Sequence, residues 1–497
     1  MALGSQLYTF LLLAPLSFLA ITCQGASVSS SPSQTFNGIG GSGAWWPTDL
    51  FNFPDDVRQN LSTLLFDQSG MGLSSYRYNV GSGGVNVSNP TRAIQSFWVS
   101  QGVYNWDADP SGVYFMQQAA QHNVPSITAF VNSAPAVLTS GHASCNGDFV
   151  TGTGNEYGQF VADVVSHWRG QGINITRVSP MNEPDSTFGP SPCGQEGMAV
   201  APSQRAEVVN GLYQALENNG LTGTVGIIVD ESNTMEKATS EYSAWLPQVK
   251  DKVSALCHHT YEFPSDSEYT SFVQDVQANY PGIETWMSEI CCSLGQPDGS
   301  GKGYGGGYDP TITNALMFSG MVFQSLVLAG EPHYDFWTLV SNAIGCSPGS
   351  SSSCNPSVAN SGGWTDGLIY YDSNYASNGN HNLYLTKHFW TYKHFGNFVK
   401  PGSQRRAITG DGSTETMMAV TDSSNYYVLA MNTGTSSTSL SLTFPETVCG
   451  TAAVRTSSSE DFTSIGAATQ SNGAWTLPLN ALSLTTFTFK KGSCQAL

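Results

Sequence analysis

Basic residues are scarce in this chain. Its 18 Lys and Arg stand against 37 Asp and Glu, so the formal net charge is −19, and charged residues make up only 11% of the 497 positions. A charge of this sign repels the phosphates of nucleic acids and the surface of anionic membranes. The composition therefore argues against nucleic-acid and membrane partners. We expect a monomer whose partner is neutral or cationic, and a surface of this kind suits sugar polymers.

Long hydrophobic runs are also missing, apart from one at the N-terminus. The run LLLAPLSFLAITC within residues 1–25 leads into small residues at Gly25 and Ala26. It is too short for a comfortable membrane anchor and predicts a cleaved secretory signal peptide, although no basic residue precedes it. The second uncharged stretch, 311–330, contains several polar residues and is predicted to be a core helix. We therefore expect a soluble, secreted protein, and sequons at Asn60, Asn86 and Asn174 agree with that route.

The cysteines cannot all pair. Of ten, Cys23 lies in the signal segment, so nine remain and at least one is unpaired. The predicted disulfides are Cys346–Cys354, Cys145–Cys193 and Cys449–Cys494, which leaves Cys257, Cys291 and Cys292 as buried structural thiols. A zinc site built from these three cysteines with His258 and His259 is the alternative, but the set lacks metal-ligand spacing. We expect no metal and no cofactor.

Short β-branched or aromatic runs alternate with amphipathic stretches through most of the chain, as in repeated βα units. The predicted strands are residues 36–44, 71–79, 124–131, 175–182, 224–230, 253–259, 283–289 and 334–340. Helical spacing follows the third strand at Tyr157, Phe160, Val161, Val164, Val165 and Trp168. A further helix is predicted from an N-cap at Ser203 to a C′ residue at Gly220. Eight such strands predict an α/β fold, the (β/α) eight-stranded TIM barrel, over residues 26–398.

From about residue 399 the hydrophobic period changes to two. Leu440, Leu442 and Phe444 alternate with polar residues, and so do Leu482 and Leu484. This pattern predicts a C-terminal β-sandwich domain over residues 399–497. A separate carbohydrate-binding module is the alternative interpretation.

Two glutamates close predicted barrel strands, where barrel enzymes carry their chemistry. Glu183 ends the fourth strand in Ser179-Pro180-Met181-Asn182-Glu183-Pro184, and Glu289 ends the seventh in Trp286-Met287-Ser288-Glu289. Partial desolvation lets one carboxyl stay protonated as an acid while its partner remains ionised to attack. Either glutamate taken alone could instead point into solvent or cap a helix. Two such glutamates on strands four and seven together favour a catalytic acid and its ionised partner.

These motifs resemble glycoside hydrolase family 30 over nearly the whole mature chain. Asn182-Glu183-Pro184 is similar to the acid/base motif of the family's clan, and Ser288-Glu289 to its nucleophile motif. Other matching positions are Phe36-Asn37-Gly38-Ile39-Gly40-Gly41, Arg77, His259, Tyr261, Trp337 and the stretch 394–402. The resemblance implies a retaining hydrolase with Glu183 as acid/base and Glu289 as nucleophile. It also implies that residues 27–35 pair with the C-terminal strands.

The remaining site residues have physical roles of their own. Asn182 can donate a hydrogen bond to the sugar 2-hydroxyl, and Arg77 and Tyr261 would hold Glu289 ionised. His259 belongs to the same predicted substrate-binding set, and Trp337 would stack on the apolar face of the sugar in the central subsite. A surface ion pair for Arg77 and a core position for Trp337 are the alternatives. Trp45 and Trp46 would line outer subsites or pack a loop.

The substrate is indicated by local likeness only. Residues 258–264 (HHTYEFP) and 286–292 (WMSEICC) are most similar to fungal endo-β-1,6-galactanases, so we expect cleavage of the β-1,6-galactan side chains of arabinogalactan. β-1,6-Glucan is the first alternative. Glucuronoxylan would require a basic pocket, which the scarcity of Lys and Arg disfavours. A non-catalytic glycan-binding barrel is disfavoured because both glutamates are present.

Overall fold

Eight parallel strands form the core of the protein, whose computed structural model describes residues 25–292 and 301–494. Strands 1 to 8 of the barrel are Gly38–Gly41, Ser75–Val80, Ser126–Val131, Ile175–Ser179, Gly226–Ser232, Val253–His259, Glu284–Glu289 and His333–Phe336. They are hydrogen-bonded in the order 1-8-7-6-5-4-3-2, so strands 2 to 7 each pair with the next strand in sequence and strand 8 pairs with strand 1. The TIM barrel prediction is confirmed. The predicted signal segment lies outside the described residues except for Gly25.

Strands 1 and 2 close the barrel through a few backbone contacts. Ser42 forms a parallel bridge with Arg77, and the Ser74 N–H donates to the Ile39 carbonyl at 2.9 Å. A Cβ at Gly40 would lie 2.2 Å from the Ser75 carbonyl oxygen. Because only glycine permits so close an approach, the glycine-rich strand 1 is required for closure.

Helices surround the barrel. They are Asp55–Phe66, Pro110–Gln121, Gly154–Gly170, Pro202–Asn218, Met235–Trp245, Asp266–Asn279, Ile312–Phe323 and Lys387–Phe398, with two short helices, Pro47–Leu50 and Tyr375–Asn378. The predicted apolar face of Gly154–Gly170 is buried throughout.

The predicted helix start at Ser203 is wrong. The helix begins at Pro202 with Ala201 as the N-cap residue, because proline is well suited to the first helical position, where its missing N–H is not needed. The Gln204 side chain accepts from the Ala201 N–H at 3.0 Å. At the other end Gly220 follows the Asn219 C-cap with a φ of 68°, as predicted.

One helix in the described part of the chain is long and apolar enough to cross a membrane, Ile312–Ala329. It is α-helical to Phe323 and then forms a π-helical turn, Gln324–Ala329. Because 72% of it is buried inside the protein, it occupies the position of a core helix, as predicted.

The C-terminal strands form a second, mostly antiparallel sheet of ten strands. In spatial order these are Thr463–Ile465, Val448–Thr456, Ser483–Lys491, Asn425–Asn432, Met417–Thr421, Gln404–Thr409, Ala26–Thr35, Thr438–Thr443, Ala474–Leu479 and Thr469–Ser471. Leu442 and Leu477 of one half share a core with Phe487 and Phe489 of the other, so the halves pack face to face as a sandwich. Ala26–Thr35 pairs with Gln404–Thr409 and Thr438–Thr443, as the resemblance implied.

The three predicted disulfides, Cys145–Cys193, Cys346–Cys354 and Cys449–Cys494, are present. The prediction of free thiols at Cys291 and Cys292 is wrong, because the two neighbouring residues are joined to each other. Cys257 is the free cysteine among the described residues, and burial raises the pKa of its thiol well above the usual range.

Candidate active site

The predicted site residues meet at the carboxyl ends of the barrel strands. Glu289 is the last residue of strand 7, His259 the last of strand 6, and Arg77 lies within strand 2. Asn182 and Glu183 lie three and four residues after the end of strand 4 at Ser179. This is the end of the barrel at which TIM-barrel enzymes carry their active sites.

Two of the site glutamates have an unusual backbone conformation. Glu183 and Glu231, which is in strand 5, have φ values of 46° and 62°, and the Glu183 N–H donates to the Glu231 carbonyl at 2.9 Å. A left-handed conformation at a non-glycine residue costs roughly 1–3 kcal/mol, and such strain clusters at functional sites. The bond between strands 4 and 5 therefore helps to fix where the Glu183 side chain points.

The Glu289 carboxylate is surrounded by donors. The Arg77 Nη1 lies 2.8 Å from Oε2 and the Tyr261 hydroxyl donates to Oε1 at 3.0 Å. Burial raises the pKa of Glu289, whereas the positive charges of His259 and Arg77 oppose that rise. Arg77 is 1% exposed and lies over the Phe130 ring at 4.3 Å, so it is a buried ion-pair partner and not a surface one.

Glu183 is held from one side of its carboxylate. Its Oε1 accepts from Asn233 Nδ2 at 2.8 Å and lies 3.0 Å from His259 Nδ1. Arg77 Nη2 donates to the Asn182 Oδ1 at 3.2 Å, which fixes the amide orientation and leaves the NH₂ group of Asn182 as a donor.

Glu231 is a member of the cluster that the sequence interpretation did not identify. It is fully buried, and its Oε2 lies 3.2 Å from His259 Nε2 and 3.6 Å from Arg77, while also accepting from the Ser288 hydroxyl. Burial alone would raise its pKa, but Arg77 and His259 lower it to about 2. Glu231 directly follows the predicted fifth strand, residues 224–230. Its position at a strand end is therefore the same sequence signal that identified Glu183 and Glu289.

His259 carries positive charge at neutral pH. Burial would lower its pKa, but the carboxylates of Glu289, Glu183 and Glu231 raise it to about 10. Both ring nitrogens then donate, Nδ1 to Glu183 and Nε2 to Glu231. The site thus contains two cations, Arg77 and His259, against three carboxylates.

One carboxylate oxygen of Glu183, one of Glu289 and a His259 nitrogen all lie within 4.8 Å of one another. The spacing alone would suit a metal ion, but Arg77 and the His259 imidazolium already supply positive charge there. His258 and the three cysteines of the zinc alternative do not converge. His258 bonds to Glu331 at 2.7 Å, Cys291 and Cys292 are joined, and Cys257 belongs to a separate apolar cluster.

The predicted aromatic residues have different surroundings. Trp337 follows strand 8, is partly exposed, and contacts Trp45 edge-on at 6.2 Å between ring centroids. Trp46 is only 3% exposed, donates its indole N–H to Ser42 and packs against Phe115. These contacts match the loop-packing alternative for Trp46, which also lines a small cavity at the ends of strands 1 and 8.

The sequence matches O-glycosyl hydrolase family 30 over residues 28–344. It is also 24% identical over 404 residues to the exo-β-1,6-galactobiohydrolase of Bifidobacterium longum, an alignment that covers 64% of this chain. The chain spans about a quarter of the length of that curated relative, 25%.

Solved structures share the fold. A conserved exported protein from Bacteroides fragilis has a TM-score of 0.76 at 18% identity, covering 94% of this chain and 100% of its own. The catalytic domain of the family 30 xylanase C from Talaromyces cellulolyticus has a TM-score of 0.68 at 20% identity, covering 93% and 99%. Since the family match extends over more than half of its residues, the chain belongs to O-glycosyl hydrolase family 30.

Proposed function

We propose that the protein is a secreted, retaining endo-glycoside hydrolase that cleaves β-1,6-galactan side chains, with Glu289 as nucleophile and Glu183 as acid/base. The observation that carries this proposal is the closeness of the two carboxylates, which have oxygens within 4.8 Å of each other. Retaining enzymes place their carboxyl groups about 5–5.5 Å apart, whereas inverting enzymes leave about 6.5–9.5 Å for a water molecule. The spacing supports direct attack by one carboxylate.

Glu289 is suited to the nucleophile's role by its donors. Arg77 and Tyr261 each bind one of its oxygens and favour the ionised form. In the first step an oxygen of Glu289 bonds to the anomeric carbon as the bond to the leaving oxygen breaks. The Asn182 NH₂ group would donate to the 2-hydroxyl of the same sugar, an interaction that strengthens as positive charge develops on the ring.

Glu183 is suited to proton transfer because its described contacts use Oε1 only. A single proton on Glu183 brings the cluster of three carboxylates and two cations to neutrality. Glu183 donates this proton to the leaving oxygen, then removes one from the water that attacks the anomeric carbon and releases Glu289. His259 and Asn233 hold the carboxyl in place throughout.

The galactan substrate is supported by two independent likenesses. The segments around strands 6 and 7 resemble fungal endo-β-1,6-galactanases, and the curated relative is named for β-1,6-galactobiose release. β-1,6-Glucan is the first alternative and xylan the second. The four disulfides and the signal-like N-terminus support secretion, because disulfides persist in oxidising compartments.

The test combines substrate and stereochemistry. The purified protein is incubated with β-1,6-galactan, β-1,6-glucan and xylan, product sizes are resolved, and proton NMR reads the first anomers formed. We expect galactan to be cleaved fastest, into a mixture of sizes, with β-anomers first. Faster cleavage of glucan or xylan would refute the substrate, a single product size would refute internal cleavage, and α-anomers would remove Glu289 from its role.

A further inference from the structure

A small cavity of about 120 Å³ lies between the ends of strands 1 and 8. Trp337 connects the cavity with the end of strand 7, because its backbone N–H donates to the backbone carbonyl of Ile290, the residue after Glu289. The residues of the wall that matter here are Trp45, Arg92, Trp337, Ser341, Asn342 and Asp366. Neither Glu183 nor Glu289 lines this cavity, so it is distinct from the point of cleavage.

Two buried polar atoms of this wall lack a hydrogen-bond partner among the described residues. They are Oδ1 of Asp366, an acceptor, and Nε1 of Trp45, a donor. Buried polar atoms in native proteins are nearly always bonded, to protein, to water or to a ligand. A sugar hydroxyl both donates and accepts, so one hexose can satisfy both atoms.

The cavity wall contains one basic residue, Arg92, and two acidic residues, Asp49 and Asp366. Burial lowers the pKa of Arg92, and the nearby charge of Asp366 opposes that change. Burial raises the pKa of Asp366, and the charge of Arg92 opposes that change. Arg92 also donates to Gln195 at 2.8 Å. With more acidic than basic residues, the wall suits a neutral sugar better than a uronic acid. Trp45 and Trp337, at 70° to each other, supply apolar faces for the sugar ring.

The position of the cavity assigns it to one side of the cleaved bond. In the barrel, strands 8 and 1 follow strand 7, which carries Glu289, whereas Glu183 follows strand 4 farther around. The nucleophile attacks the sugar that is retained, and the acid protonates the oxygen of the leaving part. A sugar on the Glu289 side therefore belongs to the retained part of the chain.

We infer that this cavity is a subsite for a neutral hexose, one residue beyond the sugar that Glu289 attacks, recognised through Asp366 and Trp45. The inference rests on the proposed function. It assigns specificity to two side chains outside the glutamate cluster.

The test compares substrates of one and two sugars. Dinitrophenyl β-galactoside reaches the glutamate pair alone, whereas the dinitrophenyl glycoside of β-1,6-galactobiose also reaches the cavity. Asp366→Asn and Trp45→Phe should lower kcat/KM on the two-sugar substrate roughly 10-fold or more, as loss of a hydrogen bond to a buried or charged group does. Activity on the one-sugar substrate should stay within about twofold of the wild type.

Trp168→Phe is the matched control. Trp168 is 6% exposed, as is Trp45, and its Nε1 also lacks a partner among the described residues, but it lies on the helix Gly154–Gly170. This variant should leave both rates unchanged. Equal losses on both substrates by the cavity variants, or no loss on either, would overturn the inference.

Calorimetric titration separates this inference from the proposed function. The wild type and Asp366→Asn are titrated with β-1,6-galactobiose, β-1,6-glucobiose and a disaccharide ending in glucuronic acid. We expect weaker binding of a neutral disaccharide by the variant. Affinities that do not depend on Asp366, or tightest binding of the acidic disaccharide, would overturn the subsite. A wild type that binds but hydrolyses neither galactoside would refute the proposed function alone.

Discussion

Replacing Glu231 by glutamine removes one negative charge from between two cations while keeping the side-chain shape. The carboxylate lies 3.2 Å from His259 and 3.6 Å from Arg77 and is fully buried. At an effective dielectric constant of about 20, each of these pairs contributes roughly 5 kcal/mol of attraction before the cost of burial. Breaking a buried pair by removing one partner costs about 3–5 kcal/mol net.

That loss can be measured as a shift in Tm. An unfolding entropy of about 2.1 cal/mol/K per residue amounts to roughly 1 kcal/mol/K for a chain of this length, so Glu231→Gln should lower Tm by about 3–5 °C. The variant should remain folded, because domains have about 5–15 kcal/mol of stability. Displacement of Arg77 and His259 should also lower kcat/KM, by roughly 10- to 100-fold.

The loss of stability depends on pH in a defined way. The pKa of His259 is raised to about 10, so its protonated form stabilises the fold fully below 6.5, and this contribution is lost as the pH rises towards 10. The pKa of Glu231 is lowered to about 2, so its contribution is present above 4.5 and is lost as the pH falls towards 2. The difference in Tm between wild type and variant should therefore be greatest near pH 5–6.5.

Thermal unfolding at pH 6 and pH 9, with a pH profile of kcat/KM, tests this reasoning. In the variant the alkaline limb should move to lower pH, because His259 loses a neighbouring anion. Glu331→Gln is the matched control, since Glu331 is also fully buried and bonds to His258, outside the glutamate cluster. It should lower Tm but leave the profile in place. Identical profiles for wild type and a folded Glu231→Gln variant would refute the role of Glu231.

Three further predictions concern the two proposed catalytic glutamates and one disulfide. Glu183→Gln should lower galactan cleavage by orders of magnitude but spare the first step on an aryl glycoside with a good leaving group. Added azide should restore turnover of that glycoside. Unchanged activity on the polymer would contradict the assignment of Glu183. Glu289→Ala should abolish labelling by a fluorinated glycoside and yield the α-glycosyl azide when azide is added, and detection of the β-azide by NMR would count against it. Replacing Cys145 and Cys193, 48 residues apart, by alanine should cost about 4 kcal/mol and lower Tm by roughly 4 °C, and an unchanged Tm in non-reducing buffer would contradict this.

The local patterns of the sequence were sufficient for the architecture. Hydrophobic period and turn residues are properties of short segments, so all eight barrel strands and the change to the C-terminal sheet could be read from them. The glycines of strand 1 carried a further constraint, because the closure beside Ser75 leaves no room for a Cβ at Gly40. The ends of elements were less certain. The sequence predicted Ser203 as the N-cap residue, but the helix begins one residue earlier, at Pro202, because proline suits the first helical position.

Contacts between distant segments were decided only by the tertiary structure. The sequence placed Glu183 and Glu289 at strand ends, because the chemistry of a barrel is carried there, but it did not show how close their oxygens are. Glu231 became part of the site only when closure of the barrel brought strand 5 against Arg77 and His259.

The same holds for exposure and charge. The sequence does not show whether a tryptophan after strand 1 faces a cleft or the core. The buried position of Trp46 follows from its packing against Phe115, which only the tertiary structure shows. The protonated state of His259 likewise has no local signal, because it arises from three carboxylates on three different strand ends. The sequence by itself determined which elements form and which chemical groups they carry. Only the fold decided which of those groups share one buried space, where short distances and low dielectric make charges interact strongly.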